Sequence, residues 1–238
     1  MLASARPMRV LVGTSGFSYK EWLGGFYPPK LKPAEMLGYY AARLPCVELN
    51  NTFYRMPNAS LIEGWHAKVP DSFRFVLKAP RGITHIRKLA NSEDTLAHFV
   101  ELAQKLGAQL GPLLFQLPPQ FPKDVQRLAQ FVALLPASIQ AAFEFRHPSW
   151  FEPAVYDTLR AANMALCASE VDEAPISELV STARFGYLRL RRSDYSDSEI
   201  AAWAERIRAE GLDEVYVFFK HELRATELAA KLSAHFAG

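Results

Sequence analysis

Residues 141–150 begin as an apolar run and become charged toward their end. These charged side chains are the clearest candidates for chemistry in this sequence. Side chains alternate between the two faces of a β-strand, so Glu144 and Arg146 should share one face while Phe143 and Phe145 share the other. An ionic face inside a sheet that is covered by helices is tolerated only where the charges pair, reach water or hold a ligand. The end of this strand is therefore a candidate site.

The same alternation, applied to the other apolar runs, predicts further polar side chains on inner faces. Five cations and two carboxylates then converge, which leaves about three positive charges unpaired. Such a surplus must face water or bind an anion, and a balanced ion network that only fills the interior is the alternative. The predicted ligand-binding residues of this face are Asn50, Lys78, Gln116, Arg146, Arg189, Arg191 and Lys220, beside the carboxylates Glu48 and Glu144.

Two carboxylates and two histidines are the predicted catalytic residues. Glu48 or Glu144 would act as a base or orient a neighbouring group. His85 or His147 would transfer a proton, because imidazole is the side chain that titrates near neutral pH, or would instead bond the backbone of its loop.

A divalent metal is a second interpretation of the histidines. His221 and Glu222 follow the last apolar run and would lie beside His85 and His147. The sequence has no HExxH or similar local ligand spacing, and the neighbouring cations would repel a metal ion. A metal site is therefore disfavoured, and the cofactor stays unknown.

The same two carboxylates also permit a glycoside hydrolase, in which Glu48 and Glu144 serve as acid and nucleophile. Trp22 and Trp150 would then stack on sugar rings. Neighbouring Arg and Lys side chains argue against this alternative, because they keep both carboxylates ionised and remove the proton donor. Independently of it, four aromatic residues are predicted stacking surfaces for a ligand: Tyr19, Trp22, Tyr54 and Trp150.

Eight short apolar or β-branched runs are predicted strands, and segments of helical periodicity lie between them. This alternation predicts parallel strands joined by right-handed crossovers, and eight such units in 238 residues predict one α/β domain, a (β/α)8 TIM barrel. An open doubly wound sheet is disfavoured, because residues 13–17 lack a nucleotide-binding fingerprint. Residues 1–8 are predicted to be irregular or disordered. The predicted strands are 9–14, 46–51, 73–79, 112–117, 141–146, 164–168, 185–191 and 214–220, and the predicted helices include 34–44, 92–106, 125–135, 156–162, 198–209 and 223–236.

The composition favours a soluble cytoplasmic protein. A formal net charge of +2 argues against coating of nucleic acid by bulk charge. Only Cys46 and Cys167 occur, each in an apolar context, which suits a reducing compartment better than a disulfide framework. The sequence has neither a signal-peptide core nor an apolar stretch of roughly 20 residues, so no membrane association is expected.

Seven motifs occur in order along the chain: GTSGFSYKEWLGGFYP, VELNNTFYRMP, FRFVLKAPRGITH, GPLLFQLPP, EFRHPSW, YLRLRRSDY and VYVFFKH. Together they resemble the domain of unknown function 72 family, also called YecE-like proteins. The resemblance implies a TIM barrel but supplies no activity. Arg191–Arg192 stands where the family commonly has His-Gly, and Lys220–His221 stands where paired asparagines are common, so both departures add positive charge.

The leading hypothesis is an enzyme that binds an anionic, phosphate-bearing small molecule or nucleic-acid fragment at the C-terminal mouth, where barrels carry active sites. Arg146, Arg189 and Lys78 would hold the anion, and a phosphodiester hydrolase is the specific form of this hypothesis. A non-catalytic binding or regulatory protein for the same anion is the alternative from another class. The sequence leaves the oligomeric state open.

Overall fold

Eight parallel strands close into a barrel, in the order in which they occur along the chain. The computed structural model describes residues 8–174, 176, 179–221 and 223–237. The last strand pairs with the first, from Arg9 opposite Glu214 to Thr14 opposite Phe219. The predicted TIM barrel is therefore confirmed. The strands are β1 (Arg9–Ser15), β2 (Cys46–Leu49), β3 (Arg74–Lys78), β4 (Leu110–Gln116), β5 (Ala141–Glu144), β6 (Ala165–Glu170), β7 (Phe185–Leu190) and β8 (Glu214–Phe219).

Helices connect the strands around the outside, except between β6 and β7, where the described residues form no helix. Two strands, β2 and β5, end two residues earlier than predicted. β2 stops at Leu49 because the next residues wind into a short helix, and β5 stops at Glu144 before a 3-10 turn at Pro148–Trp150. The α-helices of the described residues are α1 (Pro33–Ala41), α2 (Asn51–Tyr54), α3 (Ala59–His66), α4 (Glu93–Gln104), α5 (Val125–Val132), α6 (Pro153–Ala161), α7 (Asp197–Ala209) and α8 (Ala225–Ala234).

The barrel has two apolar layers. The outer faces of the strands pack against the helices, as Phe115 and Phe143 do with Phe131 of α5. A smaller cluster fills the interior below the polar ends of the strands, and it includes large side chains such as Phe218. This inner cluster closes the barrel from below, so the polar residues above it can meet solvent only at the C-terminal mouth.

The first strand is held at the register that the site requires. Ser15 lies opposite Glu48 in the β1–β2 pairing. The Tyr40 hydroxyl, on α1, lies 2.9 Å from the backbone nitrogen of Thr14, which donates to it, and 2.9 Å from the carbonyl oxygen of Cys46. A Cβ atom at Gly13 would lie 2.1 Å from that carbonyl oxygen, so only glycine permits this close approach.

No helix in the described part of the chain combines the length and apolarity that crossing a bilayer would demand.

Candidate ligand site at the barrel mouth

The centre of the mouth is an arginine that bridges two carboxylates. Arg189 of β7 donates through Nη2 to Oε1 of Glu48 at 2.8 Å, and through Nη1 to Oε2 of Glu144 at 2.5 Å. All three side chains are almost completely buried. Because the strands supplying them lie on different sides of the barrel, this bridge spans the interior.

Glu48 receives further hydrogen bonds that fill its acceptor sites. Ser15 Oγ donates to Oε1 at 2.8 Å, Asn50 Nδ2 donates to the same oxygen at 3.0 Å, and the Tyr187 hydroxyl donates to Oε2 at 2.6 Å. Burial alone would raise the pKa of this carboxyl, but Arg189 and these three donors outweigh burial and lower it. Glu48 is therefore an ionised, fixed side chain.

Glu144 is shared by three arginines. Besides Arg189, Arg146 Nη2 lies 2.5 Å from Oε1, and Arg191 Nη2 lies 3.4 Å from the same oxygen. Burial opposes ionisation, yet the three guanidinium groups bring the pKa of Glu144 down to about 2. Arg191 is also tied to β6, since its Nη2 donates to Ser169 Oγ at 2.5 Å.

The arginines of this cluster are not fully satisfied. The Nε–H groups of Arg146, Arg189 and Arg191 are buried and have no hydrogen-bond partner in the described part of the structure. A buried donor without an acceptor costs about 1–3 kcal/mol. Three guanidinium groups thus share two carboxylates and still present unused donors.

Lys78 adds a fourth cation at the end of β3. Its Nζ donates to Gln116 Oε1 at 2.5 Å and lies 4.3 Å from the centroid of the Phe53 ring. Burial, followed by the charge of Arg189, lowers the pKa of Lys78 to about 8. The short helix α2, which follows β2, helps to fix the end of β3 where Lys78 lies. The Thr52 hydroxyl on α2 donates to the Lys78 carbonyl oxygen at 2.7 Å.

His85 lies on the π-helical turn Gly82–Ile86 that follows β3. Its ring meets Phe53 edge to face, with 4.8 Å between centroids, and its Nδ1 is 2.9 Å from Thr84 Oγ1. Burial and then the positive charge of Lys78 lower the pKa of His85 below its usual value, so the ring is neutral at pH 7. A neutral imidazole beside a cationic mouth can accept a proton.

The rings of the other two candidate histidines accept hydrogen bonds from backbone N–H groups. The Ser149 backbone N–H donates to Nδ1 of His147 at 3.2 Å, which caps the 3-10 turn after β5. Nδ1 of His221 accepts from the backbone N–H groups of Leu223 and Arg224. These contacts leave each ring only Nε2 for chemistry.

The metal interpretation finds no support in the described residues. They include no group of three His, Cys, Asp or Glu side chains that could hold an ion. Glu222, which belonged to that interpretation, lies outside the described residues.

The predicted aromatic stacking surfaces differ in their exposure: Trp150 is buried, and Tyr54 is exposed. Trp150 is completely buried, stacks on Phe145 with 4.5 Å between centroids, and donates its indole N–H to the Phe121 carbonyl oxygen at 2.7 Å. The expectation that Trp150 stacks on a ligand is therefore wrong, because its faces are occupied within the protein. Tyr54 is 75% exposed at the end of α2 and remains a candidate surface.

A cavity of about 320 Å³ lies beside the cluster, between the first loop and the end of β8. Tyr19 and Trp22 line it, although Trp22 is otherwise packed in the small aromatic core of that loop. Lys220 also lines this cavity and is exposed, and no described side chain of the carboxylate cluster forms an ion pair with it. The prediction that Lys220 joins the cluster is wrong, since the chain leaves β8 at Phe219, so the surplus of charge is smaller than expected.

Three residues that contact charged side chains of the site were not predicted as site residues. They are Ser15, which contacts Glu48, Ser169, which contacts Arg191, and Phe53, which contacts Lys78. The two serines lie on β1 and β6, and the same alternation rule, applied to those strands, would have placed them inward. Phe53 belongs to a four-residue helix whose short sequence gives no periodic signal.

Comparison with known proteins agrees with this architecture. The family model described as "Protein of unknown function DUF72" matches residues 11–237. A DUF72 family protein from Thermotoga maritima MSB8 has a crystal structure that superposes with a TM-score of 0.83 at 26% identity, covering 97% of this chain and 100% of that one.

Two curated relatives match by sequence over shorter stretches. UPF0759 protein YecE of Escherichia coli K12 is 33% identical over 113 residues, which are 47% of this chain and 42% of YecE. UPF0759 protein YunF of Bacillus subtilis 168 is 30% identical over 156 residues, 62% of this chain and 54% of YunF. The chain thus spans about half the length of the curated relatives it matches. Since the family model extends over nearly the whole chain, this protein belongs to the DUF72 family of proteins of unknown function.

Proposed function

We propose that the barrel mouth binds a small phosphate-bearing anion and that the protein is an enzyme acting on it. The observation that supports this proposal is the arginine cluster, in which Arg146, Arg189 and Arg191 share the carboxylates and keep buried, unpaired Nε–H groups. Arginine donors match phosphate oxygens in pairs, and such charge-assisted hydrogen bonds are stronger than neutral ones.

The charge of the mouth supports an anion over a neutral ligand. With Lys78, four cations face the two carboxylates Glu48 and Glu144. Arg146 and Lys78 are partly exposed, so a ligand arriving from solvent can reach them. An anion here would accept hydrogen bonds from Arg146 and Lys78 and offset the repulsion among the cations.

The reaction we propose is hydrolysis of a phosphoester, with a phosphodiester as the specific form. Water attacks phosphorus, and neutral His85 takes its proton. The bond from phosphorus to the leaving oxygen breaks, and that oxygen takes a proton from solvent. Arg146, Arg191 and Lys78 stabilise the charge on the equatorial oxygens.

The glycosidase alternative is weaker on this geometry. That chemistry needs one protonated carboxyl. Both Glu48 and Glu144 have a pKa below the usual value, because arginines and hydrogen-bond donors stabilise their ionised forms. We therefore assign both carboxylates the role of orienting Arg189 and its neighbours.

We place the protein in the cytoplasm, since both of its cysteines, Cys46 and Cys167, are free thiols buried in the barrel interior. The partner we propose is a small anionic ligand, and a short nucleic-acid fragment carries the same phosphate chemistry.

Turnover separates an enzyme from a binding protein. Thermal denaturation with and without inorganic phosphate is compared with hydrolysis of p-nitrophenyl phosphate and bis-p-nitrophenyl phosphate. His85→Gln should keep the phosphate-induced rise in Tm and lose about 100-fold in turnover. His98→Gln is the matched control, because His98 is an exposed residue of α4.

Each negative result has its own meaning. A rise in Tm with phosphate but no turnover of any phosphoester would remove the enzyme proposal and leave a binding protein. No rise in Tm at any phosphate concentration would remove the anion proposal itself.

A further inference from the structure

Lys78 has surroundings that distinguish it from the paired cations of the mouth. Its ammonium contacts the Gln116 amide oxygen and the face of Phe53. No carboxylate of the described residues lies within ion-pair distance of it, whereas Arg146, Arg189 and Arg191 all reach one. Lys78 is therefore a cation held between a neutral amide, an aromatic ring and other cations.

This environment makes the neutral amine accessible near physiological pH. Burial, followed by the positive charge of Arg189, brings the pKa of Lys78 to about 8. About a tenth of the amine is then neutral at pH 7, against roughly one part in a few thousand for an exposed lysine. A desolvated lysine beside another cation is a nucleophile of the type that forms imines with carbonyl compounds.

We propose that Lys78 captures a small aldehyde or ketone that carries a carboxylate or phosphate, and that it forms an imine with this compound at the barrel mouth. The inference rests on the proposed anion site, because the partly exposed guanidinium group of Arg146, with Arg191 beside it, would hold the anionic end. This is an activity beyond phosphoester hydrolysis, and it uses the lysine as a nucleophile.

The reaction balances with the groups present. The Lys78 nitrogen attacks the carbonyl carbon and a carbon–nitrogen bond forms. The two amine hydrogens leave with the carbonyl oxygen as water, and a carbon–nitrogen double bond remains. His85 contacts the same Phe53 ring as Lys78 and is neutral at pH 7, so it is placed to carry the proton that the nitrogen loses to the departing oxygen.

Reductive trapping tests the inference directly. The protein is incubated with glyoxylate and sodium cyanoborohydride at pH 7, and the modified lysines are located by peptide mass spectrometry. Lys78 should be labelled about 100-fold faster than Lys105, an exposed lysine directly after α4, and the pH midpoint of its labelling should lie near its pKa of about 8. Lys78→Arg should abolish the fast adduct, and Lys105→Arg should leave it unchanged.

The role of the anion is tested with propanal, which has the same reactive group and no charge. Glyoxylate should label Lys78 at least about 10-fold faster than propanal, and Arg146→Gln should remove that preference. Labelling of Lys78 no faster than Lys105 overturns the inference, and so does equal labelling by the two aldehydes. Both measurements use the wild-type protein, so they stand even if Lys78→Arg does not fold.

Inorganic phosphate separates this inference from the proposed function. If phosphate raises Tm but glyoxylate gives no fast adduct at Lys78, the imine is wrong and the anion site stands. If phosphate has no effect and both aldehydes label Lys78 equally fast, the anion site is wrong and the inference fails with it.

Discussion

Cations in two parts of the barrel mouth have different partners. Arg189 is buried between Glu48 and Glu144 and has a carboxylate on each side. Lys78 is partly exposed, and among the described side chains its ammonium contacts the Gln116 amide and the Phe53 ring but no carboxylate. The first arrangement fixes strands from different sides of the barrel, and the second leaves a cation available. We infer that the Arg189 bridge is the scaffold and that the Lys78 side is where a ligand reacts.

The largest expected effect tests the scaffold side. Glu144→Gln leaves three arginines around a neutral amide, so the free energy of unfolding should fall by about 3–5 kcal/mol. Urea denaturation at pH 7 measures it. Glu205→Gln is the control, because Glu205 is an exposed partner of Arg208 on α7, and its loss should cost about 0–1 kcal/mol. Equal costs at the two positions would contradict a structural role for the bridge.

The pH dependence of stability should report the same carboxylate. The folded-state pKa of Glu144 is about 2, below its ordinary value of 4.5. Its contribution is therefore present above pH 4.5 and is lost as the pH falls from there toward 2. The difference in unfolding free energy between wild type and Glu144→Gln should shrink by roughly 2–3 kcal/mol over this interval. A difference that does not change with pH would argue against ionised Glu144.

The charge of Lys78 should have the opposite effect on stability from the charge of Glu144. Its folded-state pKa of about 8 lies below 10.5, so the charged lysine destabilises the fold below pH 8, and this cost disappears as the pH rises from 8 to 10.5. Lys78→Met should raise the free energy of unfolding by about 1–2 kcal/mol at pH 7, and the gain should vanish near pH 10. Lys105→Met is the exposed control. A loss of stability in Lys78→Met at pH 7 would place Lys78 with the scaffold.

The smallest stability effect is expected at Arg146, which is partly exposed and shares Glu144 with two other arginines. Arg146→Gln should change the free energy of unfolding by about 0–1 kcal/mol. Its phosphate affinity, measured by calorimetry, should nevertheless fall by about 10-fold to 100-fold. Arg184→Gln, at an exposed ion pair with Asp213 before β7, should bind phosphate like wild type. Equal affinities in the two variants would remove Arg146 from the site.

The alternation rule predicted the inner face of the strands well, because closure of a parallel barrel fixes which side of each strand meets the helices. Glu48, Lys78, Gln116, Glu144 and Arg189 all lie on strands, and the structure places them together at the mouth. The eight strands and the TIM barrel followed from the same periodicity.

Two predictions failed beyond the ends of strands, although Asn50, Arg146 and Arg191, which also follow strands, do reach the cluster. Trp150 and Lys220 lie beyond β5 and β8, where the period of two no longer applies and tertiary contacts decide the direction of each side chain. Trp150 turned inward to pack on Phe145, and His147 bonded to the backbone of its own turn. No pattern in a single sequence distinguishes such a capping histidine from a catalytic one.

One measurement tests the anion site most directly. Crystals grown with selenate would reveal the anion by its anomalous scattering. We expect one strong peak in the barrel mouth, within hydrogen-bond distance of the partly exposed guanidinium group of Arg146. Selenate bound only elsewhere on the surface, with water in its place beside Arg146, would contradict the anion site.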